Sequence, residues 1–567
     1  MEFIKGLFTA APLLSLFITV AIGYFVGKLK IGRFVLGGIA GTLITGVVVG
    51  QLDVPVDSSV KSIFFALFIY AVGYQGGPQF FRALNLKSLN ELFSSFFMCL
   101  MGLFCVLGAA WIFDLDRGTA AGLAAGGLTQ SAIIGTAGDA IAKLDLAPEL
   151  IKTMQTNIAV GYAVCYIFGS LGPIIMITWF FPTIMRWDIR AEALKLEREI
   201  SGGHPALEPG QFNALRSVVT RVYELKEENT FVGKTVLKVD SLSLDAAVEE
   251  IIRDGTVIEL TDSTELYAGD QLVVTGTVAA IENIANQLGQ EIPAPVGTEL
   301  VEEQRDIVLT NKAVVGKTLR YIHDHVNTDT RHGIFITGVK RMGHELSVLP
   351  NLEIHRGDEL SFIGSPKDLN GIESKVGYPI TAAAVTDFVI FGIGMSIGVL
   401  LGLIEFRIGG IPVMIGTGGG CLLSGLLFGW LRSTHPRYGA MPIGTTNFLR
   451  DFGLAVFVGV VGLTAGPQAF TTIQQYGLTL LMLGVAVTLI PQVLTFFFSY
   501  YILRIKNPIE LLSCTAGGRS ANPGFAALMD KAGNATPVVA FTVTYAVANV
   551  FLTLWGPLIV GIITKNP

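Results

Sequence analysis

The chain has 567 residues, of which 51% are hydrophobic, 15% are charged and 66 are glycine, and its mean hydropathy is +0.58. This composition excludes an ordinary soluble protein and predicts an α-helical multi-span membrane protein. The net charge of −6 provides no basic field, so no nucleic acid is expected as a partner. The five cysteines lie in apolar stretches without CxxC spacing, which predicts neither a disulfide framework nor a metal site.

The distribution of charge divides the chain into two apolar blocks and a polar block between them. The apolar segments run about 20 to 28 residues, long enough to cross a hydrocarbon core of about 30 Å as helices. The first apolar run has no signal-like cleavage site before it, so we expect a retained first span. The predicted domains are membrane repeat 1 (1–185), a linker (186–206), two small α+β modules (207–292 and 293–378) and membrane repeat 2 (379–567).

The two apolar blocks repeat one another in order and spacing. VGYQGGPQFF (72–81) returns as VGLTAGPQAF (461–470), and AAGGLTQSAIIGTAGDAI (124–141) returns as TAGGRSANPGFAALMDKA (515–532). YAVCYIFGSLGPII (162–175) returns as YAVANVFLTLWGPLI (545–559) with one residue of slip. VGYQG resembles a potassium selectivity filter, but a filter needs equivalent carbonyl loops in a ring, and the second copy does not keep the necessary residues. A duplicated scaffold is the better interpretation.

Segment 118–142 decides the predicted topology. With the N-terminus outside, the basic run that follows Arg186 stays inside only if this segment dips into the membrane and returns. Six glycines and several hydroxyl residues make it a poor lipid-facing helix, which favours a dip. Five crossings plus one dip give an odd count, so the second block inserts upside down, with QAFTTIQQ (468–475) outside and 509–532 dipping from the cytoplasm.

The predicted fold is therefore two inverted repeats, each of five spans plus one re-entrant hairpin, with a central cytoplasmic pair of small α+β domains. Both termini are expected outside. Inverted repeats with paired broken helices are typical of secondary transporters.

The tips of the two dipping segments form the predicted substrate site, because broken helices persist in a membrane only where they line a cavity or bind something. Freed amides at a half-helix N-terminus also favour an anion. The candidate substrate-binding residues are Thr129, Gln130, Ser131, Arg519, Ser520 and Asn522. The residues expected to shape the hairpin backbone are Gly126, Gly127, Gly517, Gly518 and Pro523.

Arg519 replaces Leu128 of the first repeat, and a guanidinium at membrane depth needs an anion or a set of carbonyls. We expect it to clamp a substrate carboxylate. The alternatives are an ion pair with Asp139 or Asp530, or a side chain that reaches the interface. Asp139 and Asp530 occupy equivalent places in the repeat, so a shared structural role, such as a helix-end cap, stands beside a role in coupling. Arg82, Arg450 and Asp451 are interpreted first as interface anchors.

The polar block contains its own duplication. FVGKTVLKV (231–239) returns as VVGKTLRYI (314–322), and YAGDQLVVTG (267–276) returns as HRGDELSFIG (355–364), which predicts one α+β module present twice. GKT is not a phosphate loop, because Glu228 and Asn311 stand where the first glycine of that motif belongs. The triplet His323, Asp324, His325 has no matching ligand cluster in the sequence, so no metal and no cofactor are predicted.

Two membrane units carrying GGLTQSAIIGTAGDAI and AGGRSANPGFAAL flank modules that look like the C-terminal (RCK-C) domains of potassium-channel regulatory subunits. Over essentially its whole length the chain resembles the aspartate:alanine exchanger family. The resemblance implies a homodimeric carrier of the bacterial inner membrane that exchanges a dicarboxylate or acidic amino acid for a smaller anion. It also implies that Arg82 and Asp139 are the charged pair of the third span and first dipping segment, and that a small ligand regulates the modules.

The resemblance leaves the substrate pair open, since some members resemble succinate exporters. Aspartate entering and alanine leaving would carry negative charge inward. A different class of function is an ion channel gated by ligand binding to the modules, and a third is a membrane sensor. An enzyme is not expected, because no nucleophile, base and orienting group cluster together.

Overall fold

The computed structural model divides into a membrane unit, Met1–Leu196 with Ala384–Pro567, and a central unit, Glu197–Ala383. Residues 202–206 of the predicted linker lie outside the described residues. The structure describes residues 2–31, 34–35, 37–54, 56–84, 88–201, 217–243, 245–258, 260–261, 263–294, 300–325, 332–341, 344–380, 385–408, 411–435 and 438–567.

The first half of the membrane unit is almost entirely helical. Its helices are α1 (Glu2–Ala10), α2 (Pro12–Gly27), α3 (Gly38–Gly50), α4 (Ser58–Ala83), α5 (Leu89–Ile112), α6 (Arg117–Gly127), α7 (Ala132–Ala142), α8 (Pro148–Ile175), a π-helical turn (Met176–Phe180), α9 (Phe181–Met185) and α10 (Ile189–Ser201). A short antiparallel pair, β1 (Lys30–Ile31) and β2 (Phe34–Val35), joins α2 to α3. Helix α6 begins where the carboxylate of Asp116 accepts the amides of Gly118 and Thr119, which caps orphan donors of the first turn.

The central unit consists of two similar antiparallel sheets. The first module has β3 (Val218–Glu224), α11 (Val236–Asp240), β4 (Ala246–Arg253), β5 (Thr256–Ile258), β6 (Gln271–Thr277), α12 (Val278–Leu288) and β7 (Gln290–Ile292). The second has β8 (Glu303–Leu309), α13 (Leu319–His325), β9 (Phe335–Arg341), β10 (His344–Leu346), β11 (Glu359–Gly364), α14 (Pro366–Val376) and β12 (Gly377–Pro379). Their strand orders, β5-β4-β6-β3-β7 and β10-β9-β11-β8-β12, are equivalent.

The repeated Gly-Asp turns of the central unit each anchor an arginine. The carboxylate of Asp270 receives Nε and Nη2 of Arg253 at 2.7 and 2.8 Å. In the second module Asp358 receives the same two nitrogens of Arg341 at 2.8 and 2.6 Å. Such two-point pairing fixes the orientation of both groups, which explains why the Gly-Asp turns recur in the sequence.

The second half of the membrane unit follows the element order of the first. It contains α15 (Phe388–Gly402), the pair β13 (Glu405–Ile408) and β14 (Ile411–Met414), α16 (Gly416–Thr434), α17 (Ile443–Tyr501), α18 (Pro508–Gly517), α19 (Asn522–Ala532) and α20 (Val538–Ile562). Within the described residues, five stretches have the length and apolar composition to cross a membrane: Leu89–Ile112, Pro148–Met185, Ile443–Phe470, Gly477–Tyr501 and Val538–Ile562. The chain is thus a mostly helical protein with a central β-rich part.

Two segments discussed from sequence are helical. Residues 468–475, predicted to lie outside the membrane, fall within α17, which runs unbroken for 59 residues through two of the membrane-length stretches. The stretch has no glycine or proline between Pro467 and Gly477 to end the helix. The filter-like residues 72–76 lie inside α4, so their carbonyls belong to a helix and not to a filter loop; this excludes the filter alternative.

Helices α6 and α7 form an antiparallel hairpin, here called hairpin 1, along α8. A Cβ atom at Gly118 would overlap the carbonyl of Met154, and Gln155 donates to the carbonyl of Gly138 at 3.3 Å, so both arms end beside the start of α8. The tip (128–131) lies further along α8, where Ser131 meets Tyr162. Glycines on α6 allow this backbone contact, as in other tightly packed membrane helices.

Helices α18 and α19 form hairpin 2, which packs against the opposite end of the same long helix. Its tip (518–521) lies at Gly169, where the carbonyl accepts from Arg519 at 3.3 Å. From there α19 passes the continuation of α8, with the Lys531 ammonium on the carbonyl of Thr178. The hairpin ends where Arg190 donates to Ala532 at 3.0 Å. The two hairpins therefore approach one another from opposite ends of the helical stretch 148–185, and their tips meet.

Candidate functional site

The two tips have the same backbone conformation. The amide of Gln130 donates to the carbonyl of Ala125 at 2.8 Å, and the amide of Ala521 donates to that of Ala516 at 3.0 Å. The residue before each amide has a left-handed φ, 55° at Thr129 and 53° at Ser520. This is the bonding of a Schellman helix end, in which glycine is the usual left-handed residue. Both tips therefore hold a hydroxyl residue in a conformation that L residues seldom adopt.

Arg519 connects the two tips. Its side chain is 1% exposed, and it donates from Nη1 to the Thr488 carbonyl at 3.0 Å and to Gln492 Oε1 at 3.2 Å. Nη2 donates to the carbonyl of Gly127 at 2.5 Å and to that of Gly169 at 3.3 Å. Among the described residues no carboxylate forms an ion pair with it, and its Nε is buried without a partner. In this conformation the guanidinium thus binds a set of carbonyls from three elements and carries an uncompensated charge.

The first residue of each return arm is bonded to a tyrosine on the next long helix. Ser131 Oγ and Tyr162 Oη lie 2.8 Å apart, and Asn522 Nδ2 donates to Tyr545 Oη at 3.4 Å. These are equivalent positions in the two repeats, because 131 aligns with 522 and 162 with 545. The two hairpins are therefore anchored in the same way, one by a buried contact and one by an exposed contact.

The remaining predicted site residues line the same junction. Gln130 donates to Asn549 Oδ1 at 3.1 Å. Thr129 Oγ1 donates to the carbonyl of Leu128 at 2.7 Å and lies 3.4 Å from that of Arg519, and Ser520 Oγ is buried without a partner in the described part of the chain. Five of the six predicted substrate-binding residues thus lie in the two tips and Asn522 directly follows the second, and all their side chains are neutral except that of Arg519.

The hairpin glycines allow close approach of neighbouring elements. A Cβ atom would lie 2.7 Å from the Tyr162 carbonyl at Gly126, 2.9 Å from Val487 at Gly127, and within 2.0 Å of Thr544 at Gly517. At Gly518 the nearest atom would be 3.1 Å away, so that position is less crowded. Pro523 lies in the first turn of α19, where its missing amide costs little.

Asp139 and Asp530 have different surroundings despite their equivalence in the repeat. Asp139 lines a small, partly open cavity together with Lys61, Gln155 and Thr464. Asp530 is exposed on α19. Neither aspartate lies beside Arg519, so the ion-pair alternative for that arginine is not what the structure contains.

Arg82 is not the basic partner of Asp139. It lies on α4 at the end opposite to Lys61, 21 residues further along (82 − 61), which is about 32 Å of helix. Its Nη1 is 3.5 Å from Gln79 Oε1. The implied pair of Arg82 and Asp139 is therefore not formed, and Lys61 is the basic residue in the cavity. Arg450 pairs with Asp451 at 2.8 Å and donates to Gln75 at 2.8 Å.

Several residues of the site were missed from sequence. Gln492 and the Thr488 carbonyl belong to α17. This helix lies outside the dipping segments from which the site was predicted. Tyr162 and Tyr545 could have been found, because both copies of the following helix begin with the same Tyr-Ala-Val. Asn549 and Lys61 show no such signal.

The two histidines of the triplet 323–325 have separate partners. His323 contacts Asp245 and Asp324, each at 3.1 Å, whereas His325 Nδ1 lies 2.9 Å from the Tyr321 carbonyl on its own helix. The two imidazoles therefore do not converge on one point.

Comparison with known proteins supports this architecture. Residues 15–182 and 390–561 match the model of a predicted permease membrane region, and residues 221–289 and 305–377 each match a TrkA-C domain. An uncharacterized transporter of Francisella tularensis is 50% identical over 98% of both chains. Uncharacterized transporters of Zymomonas mobilis and Bradyrhizobium diazoefficiens are 43% and 35% identical over 99% of both chains. No solved structure matches.

The resemblance drawn from the sequence is thereby confirmed, since the matched permease region covers both membrane repeats and the TrkA-C domains lie between them. The chain belongs to the aspartate:alanine exchanger family and is a multi-pass membrane transporter.

Proposed function

We propose that this transporter is an antiporter of small carboxylates that works by alternating access, with substrate bound between the two hairpin tips. The observation that carries the proposal is the meeting of two equivalent tips, from opposite ends of one long helix, around a buried arginine that has no carboxylate partner in the described part of the chain. Burying a cation is costly, and an anion that reached it would recover part of that cost.

The membrane arrangement proposed for this function is a pair of inverted repeats. Each hairpin arm has 10 or 11 residues, or about 16 Å, roughly half of the hydrocarbon core. Two hairpins that start at opposite ends of α8 would therefore enter from opposite membrane faces and meet near the midplane. Each repeat then has five spans and one re-entrant hairpin, both termini are outside, and the central modules are cytoplasmic.

Substrate binding requires the tips to separate. In the conformation described here the Arg519 nitrogens Nη1 and Nη2 are occupied by four acceptors. When one hairpin moves away from the other, the carbonyl of Gly127 leaves and a substrate carboxylate takes its place. The amides of Gln130 and Asn522 and the hydroxyls of Ser131 and Ser520 then hold the rest of a small polar substrate. The closed tips described here correspond to a state between the two access states.

The proposed substrates are aspartate and alanine in exchange, or another dicarboxylate such as succinate. Exchange of aspartate for alanine is electrogenic, because one more negative charge enters than leaves. The family resemblance supports a homodimer in the bacterial inner membrane. Lys61 and Asp139, which share a cavity outside the tips, are candidates for a coupling role in the same cycle.

Exchange in liposomes tests this function. Purified protein in vesicles preloaded with aspartate should take up labelled alanine or aspartate, and uptake into vesicles without internal substrate should be at least tenfold slower. Equal uptake into empty vesicles contradicts antiport. A thermal-shift series with aspartate, alanine and succinate identifies the preferred substrate, since a ligand that binds only the folded carrier raises its melting temperature.

A ligand-gated ion channel is the second candidate, and the two TrkA-C domains are the observation that favours it. A channel would give discrete single-channel currents in a planar bilayer, with no need for a counter-substrate. Such currents together with absent exchange would replace the antiport proposal.

A further inference from the structure

One cluster of titratable side chains in the central unit is used by none of the functions above. Glu249, His332 and Asp368 each offer one ligand atom, and these atoms all lie within 4.8 Å of one another. Asp240 adds a fourth group, with Oδ2 at 3.4 Å from His332 Nε2. Two of the four residues come from the first module and two from the second. The cluster therefore lies where the modules meet.

The geometry of β4 explains why Glu249 faces the other module. In the pairing of β4 with β6, Val248 lies opposite Val274 and Glu250 lies opposite Val273, so Glu249 is the extra residue of a β-bulge. A bulge turns its extra residue out of the regular alternation, and bulges are frequent beside functional sites. Glu249 Oε1 is buried and has no hydrogen-bond partner among the described residues.

In the second module, the backbone at Gly333 lies close to the Glu249 carboxylate. Gly333 follows His332 with a φ of +62°, and a Cβ atom there would lie 2.1 Å from Glu249 Oε1 and 3.1 Å from Asp368 Oδ2. No other residue type would leave the carboxylates that space. Ser365 Oγ donates to Asp368 Oδ2 at 2.7 Å and so orients this second ligand.

The net negative charge of the cluster favours the binding of a cation. Three carboxylates surround one imidazole, so with all three carboxylates ionised the four groups carry a net charge of −2 even when the imidazole is protonated. The same negative field acts twice as strongly on a divalent ion as on a proton.

We propose that Glu249, His332 and Asp368 form a binding site for a divalent transition-metal ion, with Zn²⁺ as the best fit, that joins the two TrkA-C modules. Carboxylate and imidazole donors suit Zn²⁺, at ligand distances of about 2.0 to 2.2 Å. An ion equidistant from three atoms 4.8 Å apart lies about 2.8 Å from each. Side-chain rotations that move each ligand atom by less than about 1 Å therefore complete the coordination. Asp240 then accepts from the imidazole nitrogen that does not bind the metal, as outer-shell carboxylates do.

Among the described residues of this duplicated unit, the cluster occurs once. Thr337 takes the bulge position in β9, where Gly338 pairs with Ser361 and Ile336 with Phe362, and its hydroxyl bonds within its own sheet. One metal per chain is therefore expected, and a metal that binds residues of both modules would stabilise one arrangement of the pair. This inference does not depend on the identity of the transported substrate.

Metal binding to the full-length protein tests the inference. Detergent-solubilised protein is treated with EDTA, desalted and titrated with Zn²⁺ against a chromophoric chelator, and bound metal is counted by mass spectrometry. We expect one Zn²⁺ per chain and a rise in the melting temperature. Glu249→Gln and His332→Gln should each weaken binding at least tenfold.

His323→Gln is the matched control, since His323 also contacts two carboxylates but belongs to no group of three converging ligand atoms among the described residues. It should leave Zn²⁺ affinity unchanged. Absence of stoichiometric binding, equal loss in the control, or full binding by both ligand variants would overturn the proposal. Binding of Mg²⁺ or Ca²⁺ in preference to Zn²⁺ would also overturn it. Glu249→Gln keeps shape and volume, so it remains informative if His332→Gln does not fold.

Discussion

Both units of this transporter are built by duplication, and in each unit one copy carries a charge where the other copy is neutral. In the membrane unit Arg519 aligns with Leu128, and in the central unit Glu249 aligns with Thr337. The charged residue faces the other copy in both cases: Arg519 bonds the Gly127 carbonyl, and Glu249 lies beside His332. Duplication thus supplies matching backbones, and divergence at one position supplies the chemistry where the copies meet.

The largest expected effect comes from replacing Arg519 by leucine, the residue at the equivalent position, 128, of hairpin 1. Arg519→Leu removes a donor from three carbonyls and one amide oxygen, of which the Gly127 carbonyl keeps Thr488 Oγ1 at 2.9 Å, and each buried acceptor left unpaired costs about 1 to 3 kcal/mol. We expect exchange in liposomes to fall more than about 100-fold, with a lower melting temperature.

Arg450→Leu is the matched control for that variant, because Arg450 is a half-buried arginine bonded to Gln75 and Asp451. It should keep exchange within about threefold of the wild type. Arg519→Lys retains the charge but forms fewer hydrogen bonds. Its exchange rate should lie between those of Arg519→Leu and Arg450→Leu. Wild-type exchange by Arg519→Leu would remove the arginine from the site.

The next effect concerns how closely each hairpin packs on its neighbours. Position 122 is glycine in hairpin 1, and its counterpart in hairpin 2 is Ser513. A Cβ atom at Gly122 would lie 2.6 Å from the Ile158 carbonyl, so Gly122→Ala should destabilise the membrane unit by about 1 to 3 kcal/mol in thermal unfolding. Gly138→Ala is the control, since nothing lies within 4 Å of that Cβ, and it should be neutral or slightly stabilising. Equal effects of the two variants would contradict the packing described here.

A smaller effect concerns the pH dependence of the stability of the central unit. The carboxylates of Asp240 and Asp368 raise the pKa of His332 to about 10 in the folded state, above its unfolded value of 6.5. The resulting stabilisation is complete below pH 6.5 and is lost as pH rises towards 10. With EDTA present, the melting temperature of the central unit should fall between pH 6.5 and 9.5. His332→Gln should flatten this dependence, whereas His323→Gln should leave it unchanged; an unaltered slope in His332→Gln would contradict the assignment.

The smallest effect compares the two tyrosine anchors. The contact of Ser131 with Tyr162 is buried and 2.8 Å long, and that of Asn522 with Tyr545 is exposed and 3.4 Å long. Tyr162→Phe should therefore lower the free energy of unfolding by about 1 kcal/mol, and Tyr545→Phe by less than about 0.5 kcal/mol. Chemical denaturation in detergent measures both, and the reverse order would show that the exposed contact is the more important anchor.

Much of this organisation can be predicted from the sequence because duplication is visible in it. The repeated glycine-rich segments and Gly-Asp turns indicate where equivalent backbones lie, and the broken segments between 117 and 142 and between 508 and 532 are helical hairpins. What repeats along a chain can be found without knowing what it contacts.

The errors concern contacts between distant elements. Arg82 and Lys61 lie on one helix, and only the packing of α7 decides that Lys61 shares the cavity with Asp139. The triplet around His323 attracts attention by its composition, whereas the cluster around His332 depends on a β-bulge that no local pattern marks. The carbonyls around Arg519 could not be read from nearby residues either, because they come from three other helices.

The left-handed residues at the tips have a consequence for protein engineering. Glycine would adopt the torsion of Thr129 or Ser520 without strain, whereas an L residue there costs about 1 to 2 kcal/mol. Both repeats nevertheless carry a hydroxyl residue at this position. Replacing Thr129 or Ser520 by glycine should raise the melting temperature of the carrier and lower its exchange rate. Such a variant would help to hold a single state for structure determination.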